Sequence, residues 1–219
     1  MENYKFSTLE YKRPDLEARR EKLAAWKDAA EHAESYDALR KLMFEIDREN
    51  CELSTQYSIA HIRHTLDTRD EFYEAEVNYL QDTLPTLSGA EVALSEAIAS
   101  GPFRADIERE LGKQYFVSVD LQKKLYCEAN IPLRQQESRL TNEYQKIMAT
   151  AEIPFDGKTL NLYGVQKYFE HPDRATRAAA VKAYSKFYES NEPRLEEIWD
   201  ELIRIRNEIG RNLGYENYI

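Results

Sequence analysis

Glycine and proline are scarce in this chain, whose 219 residues include only seven of each. An all-β fold needs many tight turns, and such turns depend heavily on these two residue types. Glu, Ala, Leu, Lys and Arg, which favour helices, are abundant instead. The composition therefore predicts an all-α protein, and the length is sufficient for a buried core.

Cysteines and long apolar runs are also lacking. Cys51 and Cys127 are the only cysteines and form no CxxC pair, so we expect both to pack as small apolar groups without a disulfide. No segment approaches the ~20 apolar residues that a membrane span requires, and no apolar signal run follows Met1. These absences predict a cytoplasmic protein without a membrane partner.

Positive charge is outweighed, because 40 Asp and Glu residues against 30 Lys and Arg residues give a net charge of -10. Such a chain repels the phosphate backbone of nucleic acids, and no basic block interleaved with aromatic residues offsets this repulsion. Nucleic acid is therefore not expected as a partner.

Apolar residues recur at helical spacing from the start of the chain. The pattern predicts a first helix over 15–33 and, with Ser35 as its N-cap, an unusually long second helix over 36–67. One stripe runs along the second helix, formed by Leu39, Leu42, Ile46, Leu53, Tyr57, Ala60 and His64. We expect these long helices to lie antiparallel to their neighbours in an irregular array.

A third helix is predicted to begin with a capping box formed by Thr68 and Glu71, and Pro85 should kink it. A short helix over 103–111 follows and is closed by Gly112. Residues 1–112 are thus expected to form an N-terminal helical hairpin region, and 113–219 a second helical region.

The second region contains the one predicted departure from helix. Ile153–Phe155 and Lys158–Leu160 flank Asp156 and Gly157, a pair that suits the positive φ angles of a tight hairpin turn. Helices are predicted over 114–126 and from Pro132 onward, before this β-hairpin.

After the hairpin, we predict a short helix over 161–170, an alanine-rich helix over 174–188, and a last helix that starts near Pro193. Gly214 should end this helix in a left-handed conformation. The apolar stripe of the last helix consists of Leu195, Ile198, Leu202, Ile205, Ile209 and Leu213.

His61 and His64 lie three residues apart on the second helix, with Asp67 one turn further, and this spacing could hold a metal ion. A zinc-protease helix instead carries HExxH, which the chain lacks. The alternative is structural: His64 extends the apolar stripe as a core histidine. We favour this interpretation and predict no catalytic, metal or cofactor-binding residue in the chain.

Asp67, Asp70, Glu71 and Glu74 form a carboxylate cluster where the second helix leads into the third. Carboxylate clusters can bind cations or act as acid and base, but acidic residues also favour helix starts. We interpret the cluster as a capped corner. Most of the fifteen tyrosines fall beside apolar stripes, so we expect core or interface positions, with a few that could line a peptide groove.

Several sequence phrases together resemble the N-terminal part of oligoendopeptidase F-like enzymes, in the zinc metallopeptidase family that includes thimet oligopeptidase. The phrases are YKRPDLEARREKL, YSIAHIRHTLDTRDEFYEAE, EYQKIMATAEIPFDGKTLNLYGVQKYFEHPDRATRAAAVKAYSKFYESN and IWDELIRIRNEIGRNLGYENY. The resemblance implies a helical enzyme that encloses a channel, hydrolyses short peptides and uses one zinc ion held by an HExxH helix. No residue of this chain matches that motif.

Two functions follow as expectations. In the first, the chain is the substrate-channel part of a zinc oligoendopeptidase, inactive by itself, and the sequence continues into a missing catalytic part. In the second, it is a stand-alone helical module that binds peptides or a protein without catalysis. The apolar stripe near the C-terminus is a candidate surface for self-association.

Overall fold

The structure, a computed structural model, describes residues 5–219 and confirms the all-α class. The α-helices up to the hairpin are α1 (Leu16–Glu31), α2 (Tyr36–Leu66), α3 (Glu71–Thr83), α4 (Ser88–Ser100), α5 (Arg104–Leu111), α6 (Lys113–Leu125) and α7 (Ile131–Ala149). They are followed by β1 (Ile153–Phe155), β2 (Lys158–Leu160), α8 (Leu162–Gln166) and α9 (Arg174–Asn212). Single 3₁₀ turns occur at Phe6–Thr8, Leu84–Leu87, Glu128–Asn130 and Lys167–Glu170.

Side-chain caps fix the starts of several helices. The Asp15 carboxylate accepts from the Ala18 amide at the start of α1, and the Ser35 hydroxyl accepts from the Ala38 amide at the start of α2, as predicted. At α3 the predicted capping box of Thr68 is wrong. The N-cap is Asp70, because α3 begins at Glu71 and the Asp70 carboxylate accepts from two free amides of the first turn, those of Phe72 and Tyr73.

Pro85 interrupts the predicted third helix more strongly than a kink. Because proline lacks an N–H group, the chain forms a 3₁₀ turn over Leu84–Leu87 and then continues as the separate helix α4. At Pro193 the opposite occurs. The predicted break between two helices is wrong, since α9 runs through Pro193 without interruption.

The hairpin has the predicted position and turn. Ile153 pairs with Leu160 and Phe155 with Lys158 in antiparallel register. Asp156 and Gly157 have φ angles of 51° and 69°, which is the left-handed region expected for this two-residue turn.

Packing divides the chain into two compact units, the first formed by residues up to Gln135 with Asn212–Gly214, and the second by Gln136–Arg211 with Tyr215–Ile219. The division into a helical hairpin region over 1–112 and a second helical region over 113–219 stays a prediction. In the first unit, α1 packs mainly on α4, and α2 on α3. Its core includes the fully buried Leu16, Leu23, Leu39, Leu80 and Leu87, and the predicted α2 stripe from Leu39 to Ala60 packs on or within this core.

The second unit has a smaller core formed by Ala151, Ile153, Leu162, Val165 and Ala180, surrounded by half-buried aromatic side chains. Helices α7 and α9 of this unit are joined by three polar pairs whose order shows that they are antiparallel: Gln136 with Glu201, Arg206 with Glu137, and Arg194 with Glu143.

The apolar stripe predicted for the last helix is mostly covered. Ile198, Ile205 and Ile209 are buried, whereas Trp199 and Ile203 are the exposed large apolar residues of this part of α9. Self-association of the chain remains a prediction.

Two smaller expectations concern cysteine and the membrane. Cys51 is exposed, so its predicted packing as a small apolar group is wrong, while Cys127 is half-buried. Within residues 5–219, every helix is too short or too polar to cross a bilayer.

Candidate functional site

Two members of the carboxylate cluster between α2 and α3 accept hydrogen bonds from backbone amides of the corner. Asp67 follows the last residue of α2 and accepts from the Arg69 amide at 3.1 Å and from Arg69 Nε at 3.2 Å. These hydrogen bonds, the amide first, lower the pKa of Asp67. Asp70 Oδ1 accepts from the amides of Phe72 and Tyr73 at 3.0 and 3.2 Å. The cluster thus has the contacts of a capped corner.

His61 and His64 occupy different surroundings on α2. The His61 ring stacks on Tyr57 with 6.0 Å between ring centroids, and its buried Nδ1 has no hydrogen-bond partner among the described residues. His64 is 9% exposed and lies one helical turn after the buried Ala60. These contacts favour the structural interpretation of both histidines, which stays a prediction.

A zinc site of the kind that the resemblance implies needs at least three ligating side chains close together. Across residues 5–219, no three His, Cys, Asp or Glu side chains lie close enough together to hold a metal ion. His61, His64 and Asp67 do not form such a group, because Asp67 turns to the Arg69 amide. The described residues therefore do not fit a zinc site.

A buried carboxylate on α3 accepts hydrogen bonds from the segment that precedes α1. Glu76 is 2% exposed and accepts from the Tyr11 hydroxyl at 2.7 Å. Arg13 Nε donates to both Glu76 oxygens at 3.1 and 2.9 Å, and its guanidinium lies 4.7 Å from the Tyr79 ring centroid. The hydrogen bond from Arg13 is the main cause that lowers the pKa of Glu76.

Arg63 holds the same N-terminal segment from the side of α2. Its guanidinium donates to the Leu9 carbonyl and to the Tyr73 hydroxyl, and it lies 6.0 Å from the Phe6 ring centroid. The segment that precedes α1 is thus bound by charged groups of both α2 and α3. Sequence reasoning missed this arrangement, because its partners are 54 to 65 residues apart and follow no local spacing.

A cleft of about 260 Å³ lies between the first turns of α1 and the middle of α2. Arg19 lines the cleft but is only 7% exposed; Nη2 donates to Asn50, whereas Nε and Nη1 have no hydrogen-bond partner in the structure. The guanidinium lies 5.1 Å from the Trp26 ring centroid. Because the two unpartnered nitrogens are buried, they face the protein interior, and a ligand in the cleft cannot reach them directly.

These clusters hold chain segments in place, and comparison with known proteins gives their context. The model of the peptidase M3 N-terminal domain matches residues 6–126. A solved structure described as oligoendopeptidase F is 36% identical with a TM-score of 0.93, over 98% of this chain and 38% of the other.

Two further structures give the same result. PZ peptidase A, solved with an inhibitor, is 33% identical with a TM-score of 0.93, over 98% of this chain and 38% of its own. A protein described as oligoendopeptidase F from Bacillus anthracis is 29% identical with a TM-score of 0.93, over 97% of this chain and 39% of its own. A search of curated proteins finds no match. The chain thus spans less than two fifths of the length of these three structures.

Proposed function

The chain belongs to the peptidase M3 family, and on this premise we propose that it is the N-terminal, substrate-channel part of a zinc-dependent oligoendopeptidase that hydrolyses short peptides. The observation that carries the proposal is the match to an oligoendopeptidase F structure over 98% of this chain at a TM-score of 0.93. A cytoplasmic location is part of the proposal.

In this proposal the chain forms part of the channel wall and supplies none of the groups that break the peptide bond. Its 219 residues contain no HExxH, and the described residues do not fit a zinc site. The metal ion, its ligands and the general base would therefore come from residues outside this chain. When bound, zinc would activate water and polarise the scissile carbonyl.

The two polar clusters around Glu76 and Arg63 support a rigid wall in the first unit. Each joins the segment before α1 to a helix distant in sequence, and Glu76 itself is almost fully buried. A wall with fixed helices can exclude folded proteins from a channel by size and admit short peptides. This role depends on packing and requires no titrating residue.

A chimeric enzyme tests the proposal directly. Residues 1–219 would replace the matched 38% of the oligoendopeptidase F structure, leaving the rest of that protein unchanged. We expect the purified chimera, loaded with zinc, to hydrolyse a quenched fluorescent peptide, and a Glu→Gln change in the HExxH of the recipient to abolish the signal. The 219-residue chain alone should be inactive with zinc. Hydrolysis by the chain alone, or a folded but inactive chimera, would contradict the proposal.

A further inference from the structure

Two large apolar side chains of α9 lie exposed on one face of the helix. Trp199 is 64% exposed and Ile203 is 46% exposed. They are four residues apart and are therefore neighbours on the helix surface. Trp199 is one of only two tryptophans in the chain, and the other, Trp26, is buried. Because tryptophan is the side chain most enriched where partners bind, this face of α9 is a candidate contact surface.

The C-terminal tail packs on the continuation of this face. Asn207 and Gly210 follow Ile203 by four and seven residues, which places all three on one side of α9. The Tyr215 amide donates to the Gly210 carbonyl. Further along the tail, the Tyr218 amide donates to Asn207 Oδ1 at 3.3 Å. The contacts move toward the start of α9 as the chain advances, so the tail runs antiparallel to α9 in the direction of Ile203.

Asn217 gives the tail the geometry of a helix start. Its side-chain oxygen accepts from the Ile219 amide at 3.1 Å. This is the contact of a helix N-cap, a position at which Asn is among the preferred residues. Along α9, Ile203 and Trp199 lie about 6 and 12 Å beyond Asn207, at about 1.5 Å per residue. A helix that begins after Asn217 and keeps the direction of the tail would cover both side chains within about eight residues.

Acidic side chains border the exposed pair. Glu192 and Glu196 precede Trp199 by seven and three residues, so they share its side of α9, and Asp200 follows it directly. All three carboxylates are exposed. A partner with Lys or Arg at its edge is therefore favoured over an acidic one.

We propose that Trp199 and Ile203 form the docking face for a helix that continues the C-terminal tail. This helix is capped by Asn217, runs antiparallel to α9 and presents apolar side chains three and four residues apart to the exposed pair, with basic side chains toward Glu196 and Asp200. The proposal rests on the proposed function, because each matched structure is more than twice as long as this chain and has further residues to supply such a helix. The direction of the tail and its cap determine the occupant.

A chain extended at its C-terminus tests the proposal without zinc or catalysis. The extension consists of the roughly sixteen residues, about four helical turns, that follow the matched segment in the oligoendopeptidase F structure, with any tryptophan replaced by Phe. Labelling with 5-fluorotryptophan gives one fluorine NMR signal for Trp26 and one for Trp199, and Trp199→Phe assigns them. We expect the extension to shift the Trp199 signal and to reduce its difference between H₂O and D₂O. The Trp26 signal should not change.

Ile203→Lys and Val181→Lys form a matched pair of variants in the extended chain. Both replace an exposed apolar residue of α9, with exposed fractions of 46% and 48%, but Val181 lies near the start of the helix, far from the tail. Ile203→Lys should lower the ratio of docked to undocked helix about tenfold, because its apolar contact is lost. Val181→Lys should leave this ratio unchanged. A circular dichroism melt of each variant verifies folding.

The proposal is overturned if Trp199 stays exposed in the extended chain, or if the two lysine variants lower the docked fraction equally. A Trp199 shift that appears only at high protein concentration would assign the face to a second copy of the chain and would also overturn it. An exposed Trp199 together with an active chimera overturns only this inference. A buried Trp199 together with an inactive chimera supports this inference and contradicts only the proposed function.

Discussion

The backbone of Asn217 lies directly on Gly210. A β-carbon at Gly210 would be 2.6 Å from the Asn217 carbonyl oxygen and 2.8 Å from its carbonyl carbon. The chain reverses at Gly214, where φ is 85°, and the Tyr215 amide then donates to the Gly210 carbonyl at 3.0 Å. Only glycine at position 210 permits this close approach, because the neighbouring atoms are backbone and cannot rotate away.

The first prediction is that Gly210→Ala detaches the tail without harming α9. Alanine is favoured over glycine inside a helix by about 1 kcal/mol, so the helix itself gains stability. The tail must move, and the amide of Tyr215 should exchange with solvent about ten times faster or more. Hydrogen exchange of the C-terminal peptide measures this change.

Gly101→Ala is the control for this experiment. A β-carbon at Gly101 would meet the Ala97 carbonyl oxygen at 3.4 Å, an ordinary contact, and the backbone there is extended with φ of -69°. Exchange of the C-terminal peptide should be unaffected by this change. Slow exchange of the tail in Gly210→Ala would show that Asn217 does not pack on this glycine.

Burial is the main difference between two carboxylates that share the same kinds of partner. Glu76 accepts from Tyr11 and Arg13, and Glu110 accepts from Tyr36 at 2.7 Å and from Arg40 Nε at 2.7 Å. The Glu76 side chain is 3% exposed, whereas that of Glu110 is 33% exposed. A comparison of Glu76 with Glu110 therefore shows how burial changes the stability that one hydrogen-bonding pattern contributes.

The second prediction is that Glu76→Gln lowers the free energy of unfolding at pH 7 by about 1–2 kcal/mol, since it weakens two charge-assisted hydrogen bonds in a buried setting. Glu110→Gln should have a clearly smaller effect, because solvent replaces its partners. Urea unfolding of both variants measures the difference. Equal losses in the two variants would contradict the role assigned to burial.

The third prediction concerns pH. The pKa of Glu76 is lowered in the folded chain, so the unfolded chain binds this proton more readily. The stability that Glu76 contributes is then fully present above its ordinary pKa of 4.5 and is lost as pH falls through the lower folded value. The stability gap between the unchanged chain and Glu76→Gln should shrink below pH 4.5, and a gap that widens there would refute the prediction.

Much of the fold could be predicted from single residues that act on backbone groups within four residues of themselves. Ser35 as a cap, the Asp156 and Gly157 turn and the stop at Gly214 depend only on neighbouring backbone. The contact between Tyr11 and Glu76 spans 65 residues and depends on how helices pack, which no spacing encodes. The family resemblance could be predicted for another reason, since it rests on long segments of sequence rather than on contacts between single residues.

The fourth prediction concerns Arg19, a buried cation with two nitrogens that have no hydrogen-bond partner in the structure. Replacing Arg19 with Met should leave the free energy of unfolding unchanged or raise it by up to about 2 kcal/mol, because two buried N–H groups then need no partner. Asn50→Ala alone should lower it by about 1–3 kcal/mol, since the guanidinium loses its acceptor.

A double-mutant cycle separates these effects. In the Arg19→Met background, Asn50→Ala should cost less than about 0.5 kcal/mol, because the interaction it removes is already gone. Urea unfolding gives the free energy of unfolding of the unchanged chain, the two single variants and the double variant. Additive losses would show that Asn50 stabilises the chain independently of Arg19.

The fifth prediction follows from Pro193, which lies inside α9 and is exposed to solvent. Proline there provides no N–H group for the Glu189 carbonyl and crowds it, so Pro193→Ala should raise the free energy of unfolding by about 1–3 kcal/mol. Pro172→Ala, just before α9, should instead lower it by about 0.4–1 kcal/mol, because proline there only restricts the unfolded chain. Urea unfolding distinguishes these opposite signs. Destabilisation by Pro193→Ala would contradict the prediction, because it would show that proline stabilises α9 at this position.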